Sequence, residues 1–118
     1  MKGKIGDRQR LLHILDAIAE IQFYTTDTDL KTFLENSMMR FACVKQVEII
    51  GEAANLISAE TKSLFTDTEW SQIIGMRHIL VHEYFGIDFN LIWQVIIKDL
   101  PELKGKVSAV LSGLKYQN

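Results

Sequence analysis

Apolar residues recur at three- and four-residue steps along almost the whole of this 118-residue chain, which contains a single proline, Pro101. An α-helix turns once in ~3.6 residues, so that spacing stacks apolar side chains along one face, and proline is the residue that most strongly breaks a helix interior. The chain is therefore expected to be all-α, an antiparallel helical bundle with short connections. Glycines are scattered singly, with no linker, repeat or low-complexity tract. One domain over residues 1–118 is expected, since ~100–150 residues is the usual domain size.

The boundaries follow from caps and stripes. A first helix is expected from about Asp7 to Tyr24, with Leu11, Leu15, Ile18 and Ile21 as its buried stripe. Asp27, Thr28 and Asp29 supply turn and cap oxygens ahead of a short helix beginning near Leu30. Arg40–Ile57 reads as the longest helix, its core face set by Phe41, Val44, Val47, Ile50, Ala54 and Ile57, with Gly51, Ala53 and Ala54 allowing close approach of a neighbour. Thr66-Asp67-Thr68-Glu69 has the form of a capping box for a helix that starts at Trp70 and ends near Val81–Tyr84. Gly86 permits a turn, and Asp88 caps a helix carrying Phe89, Ile92, Trp93, Ile96 and Ile97. Pro101 opens the last helix, with Leu103, Val107, Val110, Leu111 and Leu114 inward.

Composition removes several function classes. The lone Cys43 excludes an internal disulfide framework and a Cys-rich zinc module. No apolar run approaches the ~18–20 residues of a membrane span, and no apolar segment follows the basic residues of Met1–Arg10 as in a signal peptide, so a cytoplasmic protein with no membrane partner is expected. A net charge of −2 is not that of a basic, sequence-independent nucleic-acid binder. Basic residues do collect at both ends: Lys2, Lys4, Arg8 and Arg10 near the start, and Lys98, Lys104, Lys106 and Lys115 near the finish. Folded to one side, the two ends could meet phosphates. There is no Gly-rich phosphate loop after a strand and no Gly-x-Ser-x-Gly elbow. Cys43 reads as a small core residue, and Glu52 and Asn55, set in an apolar run, as residues that orient neighbours by hydrogen bonds.

Chemistry is most legible in Trp70–Tyr84. Trp70, Ile73, Ile74, Arg77, Val81 and Tyr84 share one helical stripe, which puts an arginine in the middle of an apolar face. Arginine keeps its charge, so Arg77 needs a counterpart: Glu48 or Glu52 of the preceding long helix, a partner subunit or a ligand anion. His82 is five residues on, ~140° around the helix from Arg77 unless the helix unwinds near His82. His78 and His82 stand at i and i+4, the spacing of a two-histidine metal pair. No third ligand is evident, so no metal or other cofactor is expected.

Arg77-x4-His82-x-Tyr84, with Arg8–Ile18, Ile49-Ile50-Gly51-Glu52-Ala53-Ala54, Trp70, Ile74-Gly75-Met76, Trp93 and Leu100-Pro101, resembles the HEPN superfamily in its HepT-like branch. That branch holds the ribonuclease toxins of toxin–antitoxin systems whose antitoxin is a minimal nucleotidyltransferase (MntA). The resemblance implies a helical bundle forming a homodimer in which two motifs face one cleft as a composite, metal-independent site for cutting RNA. In such cleavage the ribose 2′-OH attacks phosphorus, leaving a 2′,3′-cyclic phosphate. A histidine of pKa ~6.5 moves protons near neutrality and a guanidinium holds phosphate oxygens in pairs. His82 is then the acid/base group and Arg77 the transition-state clamp, with His78 and Glu83 as accessory candidates. His78 departs from the asparagine common at its position in the branch. Tyr84 is implied as the site at which the nucleotidyltransferase attaches AMP, which would add negative charge and bulk at the cleft. Two other readings stand beside this one: a non-catalytic helical adaptor that presents substrate or nucleotide to the nucleotidyltransferase, and a metal-dependent hydrolase using His78 and His82.

Overall fold

The computed structural model describes the backbone of residues 2–82 and 86–116 and the side chains of residues 6–76 and 86–114. Every regular element among them is helical: α1 (Lys2–Tyr24), α2 (Leu30–Glu35), α3 (Ser37–Leu56), α4 (Ala59–Leu64), α5 (Trp70–His82), α6 (Phe89–Gln94), a π-turn (Val95–Asp99) and α7 (Leu100–Tyr116). The all-α expectation holds.

Three long helices build the core. α3 is its centre, packed on α1 along one flank and on α5 along another, while α7 packs on α1. Leu11, Ile14, Ile18 and Ile21 of α1 and Val47, Ile50 and Ala54 of α3 are buried together with Leu100, Val107 and Val110 of α7. Each set follows the three-and-four spacing that gives an amphipathic helix one apolar face. Phe33 of α2 stacks on Trp93 of α6 with ring centroids 5.1 Å apart, which fastens the short second helix to the bundle.

Caps define the boundaries. Asp29 accepts the backbone N–H of Thr32, which holds its carboxyl below the ordinary value of 3.8, and Asn36 accepts that of Met39. Asp27, at φ 55°, takes the left-handed turn between α1 and α2, a conformation aspartate tolerates better than most residues. Asp88 caps α6 as expected, accepting from Asn90 and Leu91.

Several expectations are corrected. α1 begins before Asp7, and that carboxylate is buried, accepting from Ser58 N (2.8 Å), Ser58 Oγ (2.6 Å) and the Thr61 hydroxyl. Those partners belong to α4 and its cap, a six-residue helix too short to show an apolar period. Thr66 does not open a capping box: α5 starts at Trp70, and the N–H groups of Gln72 and Ile73 bond to the Glu69 carbonyl. Phe41 is 57% exposed rather than core. Steps of three fall ~60° short of a full turn, so counting back from Val47 through Val44 to Phe41 walks ~120° off the buried face. Cys43, four residues before Val47, is the true member of the stripe. Glu52 and Asn55 face outward, and neither side chain hydrogen-bonds among the described residues.

The last two expected helices are one. The backbone stays right-handed helical at Gln94, Val95 and Leu100, with the Leu100 N–H reaching back five residues to the Val95 carbonyl. Pro101 explains the wide turn, because a proline ring collides with the carbonyl four residues earlier and offers it no N–H. The extra residue rotates the face, so Val95, Ile96 and Leu100 are buried while Ile97, expected inside, is 51% exposed.

Candidate functional site

The direction of each helix determines which residues share an end. Ser58 and Thr61 bond to Asp7 near the start of α1, Trp70 Nε1 donates to the Phe65 carbonyl (3.2 Å), and the Phe65 ring lies against Gly113. The start of α1, the end of α3, the start of α5 and the end of α7 therefore meet around α4. α5 runs back along α3, away from that end.

Val47 of α3 and Ile73 and Met76 of α5 line one cleft and so lie within about two turns of one another along the bundle. From there α5 continues six residues to His82, ~9 Å of helix rise, and six residues back along α3 is Phe41, the same distance in the same direction. His82 thus lies towards the Phe41 end of α3, the end of the bundle opposite α4. The molecule is 47 Å long, so the two ends are separate surfaces. The basic N-terminal residues and the end of α7 do gather at one end, but it is the α4 end and not that of His82.

Arg77, His78 and His82 all lie on α5, which is helical through His82. Their side chains lie outside the described residues, as do Glu83 and Tyr84 entirely. The unwinding near His82 that would bring it round towards Arg77 does not occur before His82. On one unbroken helix the two positions are ~140° apart. Arg77 stands four residues after buried Ile73, and its level on α3 is close to Val47. Of the two carboxylates weighed for it, Glu48 adjoins Val47 and is half-buried, whereas exposed Glu52 shares a hollow with Arg10 and His13 at the α1 flank.

Cys43 is fully buried and its thiol is pushed up from 9.0 to about 11 by burial, so it is a core residue and a poor nucleophile at neutral pH. Among the described residues no group of three or more His, Cys, Asp or Glu could hold a metal ion, and no helix is long and apolar enough to cross a membrane. The cleft beside α5, about 260 Å³, has a floor of Val47, Ile73, Ile92, Val95 and Leu103. Its rim carries Glu69, Asp99 and Glu102 against the single cation Lys106, which pairs with Glu102, so the rim is net acidic and a poor match for an RNA backbone.

The family model "Ribonuclease HepT-like" matches residues 14–110. A Methanocaldococcus jannaschii protein named "Putative RNase MJ1380" is 37% identical over 100 residues, 85% of this chain and 92% of its own. The "Probable ribonuclease HepT" of Thermococcus cleftensis is 35% identical over 103 residues, 87% of this chain and 94% of its own. No solved structure matches. The matched residues take in the second half of α1, all of α2–α6 and the Arg77-x4-His82-x-Tyr84 segment. The chain belongs to the HepT-like ribonuclease family of the HEPN superfamily.

Proposed function

We propose that this chain is the toxin of a toxin–antitoxin pair and a metal-independent RNA endonuclease, with Arg77 and His82 as its catalytic residues. The observation that carries the reading is the Arg77-x4-His82-x-Tyr84 segment lying within residues matched by a ribonuclease family. His82 takes the proton from the ribose 2′-OH and returns one to the leaving 5′ oxygen, while the Arg77 guanidinium holds the phosphate oxygens as charge builds on them. The product ends are a 2′,3′-cyclic phosphate and a 5′-hydroxyl. The ~140° between Arg77 and His82 on an unbroken α5 supports a composite site in a homodimer, each phosphate served by the arginine of one copy and the histidine of the other. His78 and Glu83 are accessory positions in the same segment.

A minimal nucleotidyltransferase of the MntA type is the antitoxin in this reading, and it acts by attaching AMP to Tyr84. The added phosphodiester neutralises Arg77 and repels the RNA backbone, and the base fills the approach to the cleft. The net charge of −2 favours a second reading, a non-catalytic adaptor for the nucleotidyltransferase, since binders of any RNA draw much of their affinity from basic surface.

The test incubates wild type, Arg77→Ala and His82→Ala, each checked for folding, with cellular RNA in excess EDTA. Cleavage to cyclic-phosphate ends by the wild type alone is expected. Equal cleavage by the variants, or none by a wild type whose Tyr84 mass spectrometry shows to be unmodified, rejects the assignment. Binding of the nucleotidyltransferase that survives Arg77→Ala, with no RNA cut, would then establish the adaptor.

A further inference from the structure

We infer that Arg40, Phe41 and Phe89 form a nucleotide-binding subsite beside the cleavage site, with a base of single-stranded RNA stacked on Phe41 and its phosphate held by Arg40; this rests on the ribonuclease reading. The group lies at the same end of the bundle as His82, and Phe89 stands seven residues after it in sequence. Phe41 is 57% exposed and meets the Phe89 ring edge to face, centroids 5.8 Å apart at 85°. Met38, 80% exposed, precedes it by one turn of α3. Phe89 is half-buried against the core, but more than half of Phe41 stays in water, apolar surface that the fold does not bury.

Arg40 makes the patch more than apolar. Its guanidinium carbon sits 4.8 Å from the centre of the Phe89 ring, and one of its terminal nitrogens donates to the Leu34 carbonyl. Its Nε is buried with no hydrogen-bond partner, and among the described residues no carboxylate pairs with Arg40. Asp88 adjoins Phe89 in sequence and commits its Oδ1 to capping α6. Arg40 is therefore a cation fixed in orientation by stacking and one backbone bond, with N–H groups left to give. Single-stranded RNA offers what this arrangement takes: a π face for the exposed ring and a phosphate for the guanidinium. A two-fold contact between copies through the same patch would bring Arg40 and Lys45, one turn beyond Phe41, against their own equivalents.

The test measures binding of a labelled ten-nucleotide adenosine RNA, and of an abasic strand of equal length, in EDTA to His82→Ala protein, alone and with Phe41→Ala, Phe41→Trp or Arg40→Gln. Phe41→Ala is expected to weaken RNA binding about tenfold and to leave the abasic strand unaffected, and Phe41→Trp to retain affinity. Arg40→Gln is expected to weaken both strands and lower the salt dependence by about one phosphate. Wild-type affinity in folded Phe41→Ala and Arg40→Gln overturns the inference. So does a change in protomer number by light scattering with RNA affinity per protomer preserved, which would make the patch a contact between copies. If a chain with intact His82 cuts RNA and its Phe41→Ala form cuts with the same KM, the subsite falls and the ribonuclease reading stands. Loss of binding in Phe41→Ala with no cutting by the wild type supports the subsite and rejects cleavage.

Discussion

Replacing Asp7 by alanine removes the one acceptor that ties the start of α1 to α4. Three donors converge on it: Ser58 N–H at 2.8 Å, Ser58 Oγ–H at 2.6 Å and the Thr61 hydroxyl. The two hydroxyls lie 3.4 Å apart and can turn to each other, so their loss is partly recovered. Among the described residues the Ser58 N–H has no second acceptor, and stranding this part-buried donor costs up to ~1–3 kcal/mol. Adding about 1 kcal/mol for the re-paired hydroxyls gives a destabilisation of about 3 kcal/mol, which for a chain of this length lowers Tm by ~10–15 °C. Asp7→Asn keeps an acceptor for the N–H and should lose roughly a third as much, because hydroxyls can accept from its amide as well as donate. Urea unfolding followed by circular dichroism would read the loss as a lower midpoint at unchanged m. A double-mutant cycle with Thr61→Val should show a coupling of about 1 kcal/mol or more. A loss under ~1 kcal/mol, or additive Asp7 and Thr61 variants, would refute the claim that this buried cluster locks α1 to α4. RNA cleavage should persist in Asp7→Ala wherever it is folded, since Asp7 lies at the end of the bundle away from His82.

Two glycines of α7 should respond in opposite directions to alanine. At Gly105 a new Cβ meets nothing within 4 Å, so Gly105→Ala should raise stability by ~0.5–1 kcal/mol; at Gly113 it would fall 2.5 Å from the Phe65 ring, and Gly113→Ala should lower stability by ~1–2 kcal/mol despite the better helix former. Thermal melts that rank the two the other way would contradict the packing of Phe65 on α7. Removal of the Asp88 cap should cost ~1 kcal/mol, read in urea as a lower midpoint for Asp88→Ala, and no change would mean the two N–H bonds it accepts are replaced by water. The Cys43 thiol keeps its proton in the folded chain up to about pH 11 but releases it near 9.0 when unfolded, so its contribution to stability is full below pH 9 and is lost between there and pH 11. Iodoacetamide at pH 8 should therefore label Cys43 only as fast as the chain opens, and rapid labelling of a fully helical sample would show the residue to be accessible.

Where two local signals coincided, the sequence was readable. Asp29 and Asp88 are cap residues directly before apolar spacing, and both cap the helices assigned to them. The stripe of α7 from Leu103 to Leu114 is inward as expected, because its members keep three-and-four steps in phase with the helix. Phe41 was misplaced where the steps were all threes, and Ile97 where a π-turn the spacing does not encode shifted the phase. The candidate site was legible as a motif, Arg77-x4-His82-x-Tyr84, and as a polar break in an apolar stripe.

By itself the sequence determined the fold class, most helix boundaries and the family, because these follow from short-range periodicity, caps and the order of residues along the chain. The tertiary structure decided what depends on partners distant in sequence. It buried Asp7 against Ser58 and Thr61, 51 and 54 residues away, where the sequence offered it only as the start of the first helix. The packing of α1 and α7 around α4 sent the basic termini to one end of the bundle, and the antiparallel course of α5 along α3 sent His82 towards the other. That same course carried His82 towards the end of the bundle that holds Phe41 and Arg40, a relation no spacing along the chain could reveal.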